Sequence, residues 1–337
     1  MRMAATIFVA LAFVPTIAGA AQHRARYLMG TVCEVAVGVP TSSSEFLGVP
    51  RSSSEGTGLP RNPRNPRNSE ELAEIDLAFA EAERIEGFLS TWKPESELSR
   101  LNAGEIDATS PELAALLAET LEWSRRTDGA FHPLVRPLID AWKTREDGAV
   151  PARAAIDAAL AKMHAGAAGA QFEEGAFGKG YALDRMLAKL TSAEAMIDFG
   201  GQLIVRGSRR VGIADPEDRQ RPVVELTLSD ASLSTSSGSE KTFTVDGKRF
   251  SHILDPRTGQ ALPPRGSVSV IAERALTADI LSTALYVMGE DDGLRWANAN
   301  GVAALFLTTT HQLRLSNAAR ERVRGLAILD RNYRLKD

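Results

Sequence analysis

The stretch Thr277-Ala-Asp-Ile-Leu-Ser-Thr283 sets Asp279 and Thr283 four residues apart. On a helix this spacing puts both side chains on one face. A carboxylate and a hydroxyl together suit a hard cation such as Mg²⁺, which takes oxygen ligands and keeps positions open for phosphate. The same spacing also fits a plainer role, in which Asp279 only supports the first helical turn through the helix dipole. A second stretch, Gly175-Ala-Phe-Gly-Lys-Gly180, leads into Tyr181-Ala-Leu-Asp184. Small residues let the backbone approach a ligand, and a helix start attracts phosphate. Its glycine spacing matches neither a Walker loop nor a dinucleotide fingerprint, so alone it reads equally as a tight turn. The densest polar cluster is Ser251-His-Ile-Leu-Asp-Pro-Arg-Thr-Gly259. There His252 and Asp255 fit a general base and its orienting partner, or the organisation of a turn before Pro256. The five histidines (23, 132, 164, 252 and 311) have no metal-ligand spacing, and no Gly-x-Ser-x-Gly elbow occurs. Neither a zinc site nor an elbow-type hydrolase is expected.

Periodicity predicts the elements that must hold these residues. Leu72, Ile75, Phe79, Ala82, Ile85 and Leu89 recur at three- and four-residue spacing, which predicts a helix from Asn68 or Ser69. Ser110-Pro111 opens a second helix to about Arg126, Pro151 a third to about Met163, and Gly178–Leu190 a short fourth. Strands follow at Val223–Leu228, Phe243–Ile253 with an Asp246-Gly247 turn, and Ser267–Ala272. A helix at Thr277–Met288 precedes strands at Val302–Leu307, Gln312–Leu315 and Leu326–Leu329. Helices early and antiparallel strands late predict an α+β fold over a doubly wound parallel sheet.

The chain has 337 residues, 44% hydrophobic and 24% charged, which is globular composition. A net charge of −4 argues against a broad nucleic-acid surface. One cysteine, Cys33, excludes an internal disulfide and is expected to pack in a strand over Thr31–Val37. Residues 1–20 read as a secretory signal peptide: Arg2, an apolar run from Met3 to Ile17, then Ala18-Gly19-Ala20. No cysteine follows that run, so no lipid anchor is expected, and the mature chain should be periplasmic or otherwise exported. Residues 40–69 hold five of the 16 prolines, two Ser-Ser-Ser-Glu repeats and repeated Arg-Asn-Pro. They read as an inserted low-complexity loop within one domain over 21–337. Subtracting this +2 loop and Arg2 from −4 leaves −7 on the remainder.

In chain order, eight short stretches resemble the FAD:protein FMN transferases, the ApbE-like flavin transferase family. They are Met29-Gly-Thr31, Leu89–Asn102, Thr127-Asp-Gly-Ala-Phe-His-Pro133, Gly178–Asp184, Asp198-Phe-Gly-Gly201, Leu233–Gly238, His252–Gly259 and Ala278–Thr283. The resemblance implies a single α+β domain of antiparallel sheets and packed helices, with FAD in a cleft between subdomains. Met29 and Trp92 would pack on the isoalloxazine. Ala130, Phe131 and His132 would line the flavin, with His132 where the family usually carries Asp. Glu173, Lys179 and Ile253 would contact the nucleotide. Mg²⁺, or Mn²⁺ as an alternative, would be held by the carbonyl of Ala176 and by Asp279 and Thr283.

The implied reaction moves FMN from FAD to a threonine hydroxyl of an exported acceptor protein and releases AMP. His252 would act as base, oriented by Asp255. Two other functions fit the same residues: an FAD carrier without turnover, and a metal-dependent FAD pyrophosphatase giving FMN and AMP.

Overall fold

A computed structural model describes residues 22–38, 66–164 and 171–336. The expected signal peptide and most of the expected insertion lie outside the described residues. The chain opens with a hairpin, β1 (Gln22–Leu28) and β2 (Thr31–Val37). Helices α1 (Pro66–Leu89), α2 (Glu97–Asn102), α3 (Pro111–Arg126), α4 (Arg136–Trp142) and α5 (Arg153–His164) follow. One turn of 3-10 helix at Glu174–Ala176 leads into α6 (Gly178–Leu187). Then come β3 (Ala195–Phe199), β4 (Leu203–Arg206), β5 (Ser208–Ala214), β6 (Pro222–Ser229) and β7 (Ser232–Ser237). The hairpin β8 (Thr242–Val245) and β9 (Lys248–Ser251), the short pair β10 (Leu254–Asp255) and β11 (Gln260–Ala261), and β12 (Ser267–Ala272) precede α7 (Ala275–Met288) and α8 (Glu290–Ala299). The chain closes with β13 (Ala303–Leu307), β14 (Gln312–Leu315), α9 (Asn317–Arg322), β15 (Arg324–Ile328) and β16 (Arg334–Lys336).

Nine strands form one sheet in the order β1-β2-β3-β4-β7-β12-β13-β14-β16. Its pairs are antiparallel except β14 with β16. Strand side chains alternate between faces, so the sheet carries two cores. On one face Val35, Ile197 and Ile204 meet Ile75, Phe79 and Leu183 of α1 and α6. On the other, Met196, Leu203 and Val205 meet Val211, Ile213 and Leu226 of a second sheet, β15-β6-β5. Helix α7 is apolar nearly all round and packs in a third core with Val268, Val270 and Phe306. Cys33 is fully buried in β2, where burial pushes its thiol up, so it packs as expected.

The α+β class stands, but the split along the chain is less clean than its patterning suggests. The N-terminal hairpin supplies one edge of the main sheet. Strand β1 escapes sequence reading because only Leu28 of its seven residues is buried, and an edge strand needs no alternating apolar face. Helix α1 starts at Pro66, inside the expected loop, because proline fits a helix's first turn. Helix α6 stops at Leu187 instead of Leu190. The Asp246-Gly247 turn is real, with φ of 49° and 75°, and its hairpin forms a separate two-stranded ribbon. Among the described residues no helix is long and apolar enough to cross a membrane.

Candidate active site

The chemistry-bearing stretches meet because α6 and α7 interlock. Gly180 lies so close to α7 that a Cβ there would stand 2.6 Å from the Ala275 carbonyl oxygen and 2.8 Å from Leu276 Cα. At this approach the Gly180 amide donates to Asp279 Oδ2 at 2.9 Å. In return the Asp184 carboxylate accepts from Ala275 N at 2.6 Å and Leu276 N at 3.1 Å. These are the first two amides of α7, which has no cap of its own. The Gly-Lys-Gly-Tyr-Ala-Leu-Asp and Ala-Asp-Ile-Leu-Ser-Thr stretches are thus two halves of one joint.

A cavity of about 740 Å³ opens beside this joint. Its polar centre carries Lys179, Asp279, Thr283, Asp198 and Gln202. Burial pushes the carboxyls of Asp198 and Asp279 up to about 6 each, with the Lys179 charge opposing. Asp198 Oδ1 also accepts from Gly201 N at 2.8 Å, which fixes the β3–β4 turn that presents Gln202. Thr283 lies in a hydroxyl chain: its Oγ1 is 3.2 Å from Ser236 Oγ, itself 2.9 Å from Ser282 Oγ. Ala176, in the 3-10 turn before Lys179, faces the same space.

The donor chemistry here fits a hard cation. Besides Asp198, whose Oδ1 is engaged by Gly201, it offers the Asp279 carboxylate, the Thr283 hydroxyl and a buried amide oxygen, Gln202 Oε1, with no hydrogen-bond partner in the protein. Among the described residues no group of three or more His, Cys, Asp or Glu is placed to hold a metal. Asp279, Thr283 and Gln202 all present oxygen, the ligand type a hard cation prefers.

His252 faces the cavity from the segment after β9. Its Nδ1 lies 3.2 Å from the Lys241 carbonyl. A carbonyl only accepts, so Nδ1 carries the proton and Nε2 keeps its lone pair. Burial holds the ring below the ordinary histidine range, against the pull of Glu240, which also lines the cavity. The expected partner Asp255 does not reach His252. Both its oxygens are taken by Arg257, at 2.9 Å from Nε and 2.9 Å from Nη2, and Oδ1 also caps the Arg257 amide. Asp255 is a turn-forming residue, as two positions before a charged arginine on a tight turn allow.

At the rim, Trp92 is 67% exposed, an unusual state for the largest apolar side chain. Arg145 stacks on it, its guanidinium carbon 4.3 Å from the ring centre. Arg145 also bonds both oxygens of Glu173, at 2.7 and 2.6 Å. Glu173 therefore lines the cavity with its charge already engaged. Ala130, Phe131, His132 and Ile253 line the cavity. His132 is held neutral: burial pushes it down to about 4, and its Nδ1 accepts from Leu134 N at 3.2 Å. Met29 departs from expectation. It is not in the cavity wall but packs behind it, its Cε 3.3 Å from where a Gly178 side chain would begin. Its amide donates to Glu86 at 2.9 Å, which holds it in a left-handed conformation, φ 45°.

Sequence reading gave no role to Arg145, Gln202 and Glu240. Gln202 had one signal, the Gly200-Gly201 turn between two apolar strands. Arg145 and Glu240 sit on loops whose partners are distant in sequence.

The ApbE family model matches residues 29–306. A Treponema pallidum (strain Nichols) FAD:protein FMN transferase is 31% identical over 297 residues, covering 75% of this chain and 82% of that protein. A Rhodobacter capsulatus FAD:protein FMN transferase is 38% identical over 250 residues, 65% of this chain, and the match spans about half of that protein (47%). The crystal structure of the ApbE protein from Thermotoga maritima superposes with a TM-score of 0.71 at 26% identity, covering 90% of this chain and 99% of that one. With the family model covering most of the chain and the fold matched over nearly its whole length, this chain belongs to the ApbE family.

Proposed function

We propose that the protein transfers FMN from FAD to a threonine hydroxyl of an acceptor protein, with Mg²⁺ as cofactor and AMP as the second product. One observation carries this reading: Asp279, Thr283 and Lys179 share the polar centre of a single cavity with His252. The names of the relatives, FAD:protein FMN transferase, support the reaction class.

Trp92 offers the isoalloxazine a stacking face at the rim, with Ala130, Phe131 and His132 along the wall and Met29 supporting the turn behind it. Lys179 places a cation against the pyrophosphate, and Ile253 packs on the nucleotide. Ala176, Asp279 and Thr283 would hold the Mg²⁺. When bound, the cation neutralises charge on the pyrophosphate oxygens. His252 Nε2 takes the proton of the threonine hydroxyl. The hydroxyl oxygen bonds to the FMN-side phosphorus while the bond from that phosphorus to the bridging oxygen breaks, and AMP departs with the bridging oxygen. Glu240, and not Asp255, is the carboxylate whose charge favours the protonated imidazole that results.

The apolar segment 3–17 and Ala18-Gly19-Ala20 support export, and with it an exported acceptor.

The test combines the protein, FAD, Mg²⁺ and a candidate acceptor and follows the acceptor by intact mass. An FMN adduct with stoichiometric AMP is the expected result. AMP without adduct would select the pyrophosphatase, and unchanged bound FAD the carrier. His252→Ala should bind FAD normally and transfer about 10²–10⁴-fold more slowly. Full transfer by that variant would remove His252 as the base.

A further inference from the structure

Gln202 ends the Gly200-Gly201 turn and lies against the foot of α7. It is 3% exposed and lines the polar centre of the cavity. Its Nε2 donates to the Ala275 carbonyl at 3.2 Å. That carbonyl can only accept, so the amide has one allowed orientation: nitrogen toward Ala275, with Oε1 left as the uncommitted atom. Oε1 is buried and has no hydrogen-bond partner in the protein. Ala275 stands four residues before Asp279, so the amide sits on the face of α7 that carries Asp279. The same amide nitrogen also donates to the Asp279 carboxylate, which leaves Oε1 as the atom free to face the cavity.

We propose that Gln202 Oε1 is a further oxygen ligand of the cation held by Asp279 and Thr283. The proposal rests on the cation reading above. Hard cations accept amide carbonyl oxygens readily. A neutral oxygen adds a ligand without adding a second negative charge where a pyrophosphate must also fit. It would also satisfy a buried acceptor that the protein leaves unpaired. Three separate segments then converge on the ion: the turn before α6, the β3–β4 turn and α7. Asp198 acts at one remove, by holding the turn that presents Gln202.

Mn²⁺ is a suitable probe, since it takes the same oxygen ligands and is visible by electron paramagnetic resonance. The full chain, free of nucleotide, is titrated with Mn²⁺ as wild type, Gln202→Leu and Gln202→Glu, with thermal unfolding recorded for each. Gln202→Leu should weaken Mn²⁺ binding on the order of 10–100-fold, the loss typical when a supporting group at a metal site is removed. Gln202→Glu keeps an oxygen and should bind Mn²⁺ at least as tightly as wild type. A merely structural role predicts equal weakening in both variants, because Glu sets a carboxylate against the Ala275 carbonyl and should disturb the fold as much as Leu. Wild-type affinity in Gln202→Leu would overturn the proposal. So would equal weakening in both variants that follows their loss of thermal stability. If the Leu variant does not fold, Gln202→Asn, which draws the oxygen back by one methylene, should show the same loss. Absence of Mn²⁺ binding by the wild type would overturn the cation reading itself.

Discussion

Gly180→Ala tests the joint between α6 and α7. Two effects of opposite sign compete. In a helix interior Ala is favoured over Gly by about 1 kcal/mol. Against this, the new Cβ would stand 2.6 Å from the Ala275 carbonyl oxygen, 2.8 Å from Leu276 Cα and 2.8 Å from Asp279 Cβ. Comfortable carbon–carbon contact is about 3.5 Å, so α7 must retreat by roughly 0.7 Å. Two of the three atoms are backbone, and no rotamer change relieves them. Overpacking of this kind costs about 1–3 kcal/mol. Two backbone contacts this short put the clash in the upper part of that range, so the clash wins and a net loss of up to about 2 kcal/mol is expected in urea unfolding. The retreat also lengthens the Gly180 amide bond to Asp279, now 2.9 Å. Displacement of a reacting group by about 1 Å can cost 10²-fold in rate. Transfer activity should thus fall well beyond what lost stability explains. A Gly180→Ala protein as stable as wild type, with unchanged activity, would refute the account of the joint.

Asp184→Ala removes both acceptors from the first amides of α7 and should destabilise by about 1–3 kcal/mol by urea titration. Arg145→Ala frees Trp92 and leaves the buried Glu173 with only the more distant Arg136, 3.8 Å away. FAD affinity, read by flavin quenching of tryptophan fluorescence, should weaken several-fold, while Mn²⁺ affinity stays unchanged. For pH, His132 is held down to about 4 from an ordinary 6.5, so the unfolded chain takes up this proton first. Its stabilising contribution is complete above pH 6.5 and is lost as pH falls toward 4. At about 1.4 kcal/mol per unit, discounted for partial exposure, the loss is about 1–3 kcal/mol. Asp198 and Asp279, raised to about 6, titrate in this window with opposite sign. The readout is therefore the difference between wild type and His132→Gln, whose stability should decline less on acidification.

The sequence alone determined the fold class and several of the long elements, and the family resemblance pointed to part of the cavity wall. Apolar spacing along α1 and alternation along β6 and β12 are local properties, imposed by the geometry of a helix and a strand. The four-residue spacing of Asp279 and Thr283 likewise fixes a shared face before any tertiary contact forms. What the sequence could not determine was which groups meet across distance. Asp255 stands three residues from His252 and was the natural partner by proximity, yet the nearer Arg257 takes both its oxygens. The charge of Glu240 acts on the imidazole instead, from a segment whose position depends on the packing of β7 against β12. Gln202 became notable only when its oxygen proved buried and unpaired, and Arg145 only when it stacked on Trp92. Burial, pairing and stacking belong to surfaces brought together by folding, so the tertiary structure alone decided them.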